Sequence, residues 1–326
     1  MVAFIVRRII GLVVVLFAIT VLVFLIFFAT PGIDPSARLA GRNPSPATVA
    51  AVKHEFGLDR PLPVRYALMM KRLFISRDLV SYGNQALEVV PAIWAAAPVT
   101  FSLVLGAALL WFVMSILLGV IAVTFKGTVV DPIIMILALI GISMPVFWLG
   151  EVVNLITQDR LHDTFLFSWV PPLGYTPLTE DPWQWFLHLI FPWITLSILY
   201  IGFYARVLRA DLLENESADY VRTARAKGLS ERRVMTRHVL RNSLIPIVTL
   251  FGLDFGALVG GAIVVEAVFS LDGIGQYAYE SLINTDLPPI MAIVLFGAFF
   301  VVFFNALVDI AYAYLDPRVK LGTEAR

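Results

Sequence analysis

Long stretches without a charged residue alternate along this chain with segments that are rich in charge. Six stretches are long and apolar enough for the helix of about 20 residues that crosses a bilayer. They are residues 9–33, 89–125, 132–150, 182–205, 242–265 and 287–308. Only the fifth carries an acid near its centre, Asp254. The pattern predicts an all-α integral membrane protein with six transmembrane helices.

The composition agrees with the pattern. Hydrophobic residues make up 59% of the chain and charged residues 15%, whereas charged residues are about 25% of a soluble globular protein. Basic and acidic residues balance at 24 each, so net charge gives no support for nucleic-acid binding. The absence of cysteine excludes disulfides, thiolate metal sites and thiol catalysis.

The distribution of Lys and Arg predicts the orientation. Arg7, Arg8, Lys126, the segment 206–241 and the C-terminal tail would share one side, whereas the loops 158–181 and 269–286 carry only Arg160. Basic residues mark the cytoplasmic side, so both termini are expected there. The first apolar stretch exceeds the 7–15 residues of a signal-peptide core, and we expect a retained anchor.

The chain is expected to divide into three parts. Residues 1–30 form the N-terminal tail and first span, and residues 31–98 form an external region. Residues 99–326 form a core with the other five spans and a cytoplasmic loop at 210–245. Within the external region the sequence predicts a helix over 47–56, ended by Gly57, and an amphipathic segment over 64–73.

The loop 210–245 reads as two short helices that meet at a glycine. Ser217 is a candidate N-cap for the first helix, which would extend to Lys227 and end at Gly228. Ser230 is the candidate N-cap of the second, which would begin at Glu231. The spacing predicts a compact projection.

Three arginines of this loop, Arg233, Arg237 and Arg241, recur every four residues and would share one helical face. Two interpretations are open. The arginines could contact anionic lipid headgroups, or they could dock onto an acidic cytoplasmic partner.

Polar residues within the spans are functional candidates because they are costly in lipid. Asp254 would either line a polar cavity or make an interhelical hydrogen bond, and both interpretations stay open. Its helix carries glycines four residues apart, which would let a neighbouring backbone approach closely: Gly252, Gly256 and Gly260. Asn305 and Asp309 lie one turn apart and are expected to form an interhelical hydrogen-bonding pair.

Motifs for catalysis are missing from the sequence. The chain has no phosphate-binding loop, no H-E-x-x-H and no G-x-S-x-G. His162 lies between Asp159 and Asp163, but a solvated cluster is favoured over a metal site because no third strong ligand is near in sequence.

Two segments of the predicted loop carry a specific resemblance. Residues 219–230 (DYVRTARAKGLS) and 237–246 (RHVLRNSLIP) resemble the cytoplasmic loop of ABC importer permeases of the dipeptide/oligopeptide/nickel group, in the variant of its first, B-type subunit. Further similar segments lie at 56–62, 143–150, 260–266, 269–270, 273–275, Asn305, Asp309 and 315–318. The resemblance covers nearly the whole chain.

One departure concerns the general importer motif Glu-Ala-Ala, three residues, Gly. Here Arg222, Thr223 and Ala224 stand at the first three positions, and only the second Ala and Gly228 match. The peptide group is similar in lacking the Glu, so the departure fits the subgroup. A contact that depends on that carboxylate does not carry over.

The resemblance implies a type I ABC importer permease fold and a transporter subunit without catalysis of its own. Its implied partners are a second homologous permease, two ATPase subunits that bind ATP and Mg, and an external solute-binding protein. This chain would hold no cofactor. The implied ATPase-coupling residues are Tyr220, Arg222, Thr223, Ala224, Arg225, Ala226, Lys227, Gly228 and Leu229. Candidates for the translocation path or for interhelical polar contacts are Asp254, Glu266, Asn305 and Asp309.

The resemblance favours docking over lipid contact for residues 219–230 and leaves the three arginines open. Di- or oligopeptides are the expected cargo, with nickel, glutathione or another small solute as alternatives. An ion-coupled secondary transporter would need inverted repeats, and an intramembrane enzyme would need a nucleophile and base; the sequence shows neither signature.

Overall fold

The computed structural model describes residues 2–29, 36, 45–55, 57–84, 86–259 and 262–315. These residues are mainly helical, and the one β-bridge among them joins Val80 and Glu88. The helices are α1 (Val2–Phe24), α2 (Pro46–Glu55), α3 (Leu62–Met70), α4 (Val89–Thr124), α5 (Val130–Ser143), α6 (Val146–Asn154), α7 (Pro182–Glu216), α8 (Asp219–Ala226), α9 (Glu231–Val234), α10 (Leu240–Val259), α11 (Ile263–Val268), α12 (Ile274–Ile283) and α13 (Leu287–Leu315). Four π-helical turns extend α1, α3, α6 and α9: Leu25–Ala29, Lys71–Ser76, Leu155–Arg160 and Met235–Val239.

Five continuous helical stretches in the described part of the chain are long and apolar enough to cross a membrane. A sixth span is present if the bent pair α5 and α6 is counted as one. The all-α membrane fold predicted from the sequence is therefore confirmed, with the third span as the irregular member.

The third apolar stretch does not form the uninterrupted span expected over 132–150. Its two helices, Val130–Ser143 and Val146–Arg160, meet at an angle of 96°. Met144 is extended, with φ −80° and ψ 127°, and Pro145 follows it. The proline ring clashes with a helical conformation of the preceding residue, so the helix ends there.

The chain separates into two compact units. The first comprises residues 1–100, 256–263 and 272–326. In it α1 packs along α13, and the hydroxyl groups of Thr20 and Tyr66 lie 2.6 Å apart. The Tyr66 ring meets Phe17 and Phe24 edge-on, which fixes α3 against α1.

A buried carboxylate organises the loop before α4 in the same unit. Asp286, which is 7% exposed, accepts hydrogen bonds from the Ser81 hydroxyl and from the Tyr82 N–H, the latter at 2.8 Å. The preceding Thr285 has φ +51°, a left-handed conformation at the end of α12, and the Asp286 N–H donates to the Ser281 carbonyl at 2.8 Å. Burial raises the pKa of Tyr82 to about 12, so its phenol stays neutral at physiological pH.

The second unit comprises residues 101–255 and 264–271. Its central helix α7 packs against both α5 and α6. The start of α7 follows from its sequence, because the Asp181 side chain accepts hydrogen bonds from the N–H groups of Trp183 and Gln184 and Pro182 occupies the first helical position. Trp111 is fully buried and stacks on Tyr200 at 4.5 Å.

Candidate functional site

The segment that resembles an importer coupling loop forms two short helices joined by a tight turn. We call residues 219–239 the paired-helix segment; it contains α8, α9 and the π-helical turn after α9. The predicted N-cap at Ser217 is wrong, because α7 continues to Glu216 and Ser217 ends it, with its hydroxyl donating to the Glu214 carbonyl at 2.8 Å. Ala218 precedes α8 instead, and no side chain caps that helix.

Gly228 reverses the chain between the two helices. It has φ +77°, its N–H donates to the Arg225 carbonyl at 2.9 Å, and the Leu229 N–H donates to the Ala224 carbonyl at 3.4 Å. These two bonds are those of a Schellman motif, for which glycine is favoured because it has no Cβ. Ser230 is extended and α9 begins at Glu231 as predicted, although the Ser230 hydroxyl makes no capping bond.

The paired-helix segment has a buried face and an exposed face. Val221 and Ala224 are buried on α8, and Val234 and Val239 are buried on the following turns. The other side of α8 and the turn after it is exposed, at Asp219, Tyr220, Arg222, Thr223, Ala226, Lys227 and Gly228. Of the nine coupling residues named from the sequence, six are therefore exposed, Ala224 packs inward, and Arg225 and Leu229 are half-buried.

Arg225 links the paired-helix segment to the end of α7. Its guanidinium donates to Glu231 at 2.9 and 3.1 Å and to the Glu216 carboxylate at 3.1 Å. Glu231 and Glu216 raise the pKa of Arg225 further. Lys126 also reaches Glu216, at 2.5 Å. One cation therefore connects the last turn of α7 with the first turn of α9.

Arg233 on α9 is exposed, as are Arg237 and Arg241 after it, and in the described part of the chain none of the three forms an ion pair. Arg237 and Arg241 border one shallow groove together with His238 and Leu244, whereas Arg233 does not line it. The groove lies at the π-helical turn, where the hydrogen-bonding period of the helix changes.

Asp254 takes part in an interhelical hydrogen bond. Its carboxylate accepts from the hydroxyl of Tyr204 on α7 at 2.6 Å. Tyr204 is fully buried and Asp254 is half-buried. Of the two interpretations given above, the interhelical bond is present in this structure; a role in lining the path stays a prediction.

The remaining span candidates are distributed over separate elements. Glu266 is fully buried on α11, and the side-chain oxygen of Asn305 is buried without a hydrogen-bond partner. The side chain of Asp309 and the whole of Gly260 lie outside the described residues. Gly252 is buried on α10.

The close helix approach expected at the glycine series is observed at Gly256. A Cβ there would lie 3.0 Å from the Cβ of Phe304 and 3.2 Å from the Phe300 carbonyl oxygen on α13. Both distances are shorter than ordinary van der Waals contact, so a side chain would push the two helices apart.

Two polar contacts were not found by sequence reasoning. Arg209 on α7 donates to both oxygens of Asp131 on α5, at 2.6 Å each, and Asp286 binds the loop before α4. The sequence did contain an indication of the first contact. Asp131 and Arg209 lie just outside the uncharged stretches 132–150 and 182–205, and charged residues at the ends of neighbouring spans can pair. His162 contacts the Thr157 carbonyl through Nδ1 at 3.0 Å, and the described residues contain no cluster of three or more metal-ligating side chains.

Comparison with known families decides the class of the protein. Residues 115–321 match the binding-protein-dependent transport system inner membrane component, and residues 1–104 match the N-terminal part of the same kind of component. The chain belongs to this family. It is a multi-pass inner-membrane permease, as the resemblance noted from the sequence indicated.

Individual relatives align with the permease over nearly their full length. A putative peptide transport system permease of Brucella abortus is 36% identical over 98% of this chain and 99% of its own. The dipeptide transport system permease DppB of Alkalihalophilus pseudofirmus is 32% identical over 98% and 100%. The glutathione transport system permease GsiC of Pectobacterium atrosepticum is 34% identical over 98% and 99%.

Proposed function

We propose that this permease is the B-type membrane subunit of an ATP-driven importer for di- or oligopeptides. It would form half of the translocation path beside a second homologous permease. Two ATPase subunits would bind ATP and Mg on the cytoplasmic side, and an external solute-binding protein would deliver the cargo. The names of its relatives support peptide cargo, because they are permeases of peptide, dipeptide, D,D-dipeptide and glutathione transport systems.

The single observation that carries the coupling role is the two-faced paired-helix segment. A partner that moves the exposed face of α8 moves the segment as one body, because Val221, Ala224, Val234 and Val239 are buried behind it. Arg225 passes the motion to α7 through Glu216. The residues proposed to meet the ATPase are the exposed ones, Tyr220, Arg222, Thr223, Ala226, Lys227 and Gly228.

The proposed orientation places the paired-helix segment and both termini in the cytoplasm. The external region 31–98 and the loop near Gly273 would then face the binding protein. The excess of Lys and Arg on the side of the paired-helix segment supports this orientation.

Glutathione is the second candidate cargo. It is favoured over nickel by the 34% identity to the glutathione permease, and both peptides and glutathione present amide groups and terminal charges to the path.

Uptake by the purified importer in proteoliposomes tests the proposal. Lumenal ATP and external binding protein should drive accumulation of a labelled dipeptide, and unlabelled peptides should compete more strongly than glutathione. A protonophore should leave the rate unchanged. Accumulation that collapses with the protonophore and persists without ATP would instead indicate ion coupling. Stronger competition by glutathione would indicate glutathione as the cargo and would leave the proposed ATP-driven mechanism unchanged.

A further inference from the structure

An apolar groove of about 440 Å³ opens between α1, the π-helical turn after α3, the first turns of α4, and α13. Its volume falls in the range of small-molecule sites, roughly 300–1,000 Å³. Its walls are aliphatic and aromatic except for Thr20 and Arg77. The Thr20 hydroxyl is already bonded to the Phe17 carbonyl and lies near the Tyr66 hydroxyl, which leaves Arg77 as the charged group of the groove. We call it the α1–α13 groove.

The lengths of α1 and α13 place the α1–α13 groove between one membrane interface and the region of the bilayer midplane. Its lining on α13 runs from Ala292 to Phe300, about 8 to 20 Å along the helix from Leu287 at about 1.5 Å per residue. On α1 the lining residues Leu16 and Thr20 lie about 12 to 18 Å from Phe28 by the same measure. Half of the hydrocarbon core is about 15 Å thick. The groove therefore extends from the leaflet on the side of the connection between α1 and α4 to about 3–5 Å past the bilayer midplane.

The rim of the groove has the composition of a membrane interface. The π-helical turn Lys71–Ser76 exposes 58% of Phe74 and 76% of Ile75, and Arg77 follows directly. Arg77 is exposed, and the described residues hold no acid in ion-pair contact with it. Exposed apolar side chains beside basic ones on a short helix are typical of segments that lie in the headgroup region.

Arg77 also adopts an unusual backbone conformation, with φ +61°. Residues other than glycine are rare in this region, and they persist where the surrounding structure holds them in place. The conformation ends the π-helical turn and keeps the Arg77 side chain among the groove-lining residues. A guanidinium at the mouth of an apolar groove matches a phosphate ester above a hydrocarbon chain.

We propose that the α1–α13 groove binds one phospholipid, with an acyl chain along its apolar wall and the phosphate on Arg77. A lipid satisfies both parts of the groove, because the chain covers Trp94, which is 65% exposed, and the anionic headgroup neutralises Arg77. The exposure of the first span supports a lipid-facing location, since only 11% of the residues in its most apolar 18-residue stretch are buried. The proposal is independent of the cargo and of the ATPase partners.

Native mass spectrometry of the full-length permease, with any subunits that co-purify, tests this site. Delipidated protein in detergent is titrated with dioleoyl phosphatidylglycerol and, separately, with dioleoyl phosphatidylcholine. We expect one phospholipid to bind more tightly than the rest, with phosphatidylglycerol preferred. Arg77→Gln should weaken phosphatidylglycerol binding about fivefold, the equivalent of roughly 1 kcal/mol for one basic residue near an anionic surface.

Two further variants make the result decisive. Arg160→Gln removes an exposed basic residue outside the groove and should leave the affinity unchanged. Ala292→Phe fills the groove from α13 and should abolish the tight site for both lipids. Equal affinities of Arg77→Gln and Arg160→Gln would overturn the proposal. It would also be overturned if Ala292→Phe kept the lipid and released a permease subunit, because the groove would then be a subunit interface.

Discussion

The hydroxyl of Tyr204 on α7 donates a 2.6 Å hydrogen bond to the carboxylate of Asp254 on α10. The bond joins the only span with a central acid to the fully buried face of its neighbour. Asp254 therefore has a hydrogen-bond partner within the same compact unit. Two questions can now be asked separately: whether Asp254 stabilises the packing of α7 and α10, and whether its charge is needed for transport.

Substitutions on either side of this bond answer the two questions separately. Tyr204→Phe removes the donor and should lower the stability of the solubilised complex by about 0.5–2 kcal/mol, the range measured for interhelical hydrogen bonds in membranes. Asp254→Asn keeps an acceptor for Tyr204 and should assemble normally. A fall in transport by Asp254→Asn at normal assembly would support a path role for the charge; an unchanged rate would leave Asp254 with the structural role alone.

The turn at Gly228 should be sensitive to both backbone and bulk. Gly228→Glu adds a Cβ at φ +77°, which costs about 1 kcal/mol or more, and places a long acid on the exposed face. We expect normal membrane insertion but loss of ATPase association or of cargo-stimulated ATP hydrolysis. Both are measured on the reconstituted complex.

Two control substitutions identify the cause at this turn. Gly174→Glu introduces the same side chain at another positive-φ glycine, φ +137° with open space around it, and should leave hydrolysis near the parent value. Gly228→Asn adds a smaller, uncharged side chain with less backbone strain, because Asn tolerates the left-handed region, and should be milder than Gly228→Glu. Parent-rate transport by Gly228→Glu would show that this turn is not part of the coupling surface.

The bidentate pair of Arg209 and Asp131 should be a stability determinant of α5 and α7. Its side chains are 28% and 11% exposed, so loss of one partner leaves a poorly solvated charge. Asp131→Asn should lower the free energy of unfolding by about 2 kcal/mol, less than the 3–5 kcal/mol of a fully buried pair. Thermal unfolding in detergent measures the effect. The exchanged pair Asp131→Arg with Arg209→Asp should recover part of the loss; no recovery would mean that packing rather than charge dominates.

The absence of cysteine allows a direct test of orientation. Cysteines at Ser45 and Thr176 should react with a membrane-impermeant maleimide in intact cells. A cysteine at the exposed Ser230 should react only after permeabilisation. Reaction of Ser230 in intact cells would place the paired-helix segment outside and remove the proposed ATPase contact.

The sequence predicted the spans well because lipid imposes one strong requirement, a long apolar helix. It did not distinguish the effects of individual prolines. Pro98, Pro192 and Pro246 lie inside continuous helices, whereas Pro145 ends one. The difference depends on the packing around each proline, and a single sequence carries no direct record of that packing.

The candidate site was predicted in outline and not in its contacts. The turn at Gly228 could be predicted from local sequence, because a single glycine after a helical segment indicates a residue with positive φ. The N-cap at Ser217 was wrong because α7 extends past its apolar stretch to Glu216. Arg209 and Asp131 are distant in sequence, and their pairing depends on how α5 and α7 pack.

The break at Met144 and Pro145 has a consequence for water inside the bilayer. Within an α-helix the Gly141 carbonyl would accept a hydrogen bond from the N–H four residues later, but Pro145 has no N–H. Hydrocarbon offers no substitute donor, and an unsatisfied carbonyl there costs several kcal/mol. We therefore expect the Gly141 carbonyl at the end of α5 to accept a hydrogen bond either from water or from another protein group. Hydration there would expose a polar backbone carbonyl within the third span. In a continuous helix that carbonyl would be hydrogen-bonded, and only side chains would contact the surroundings.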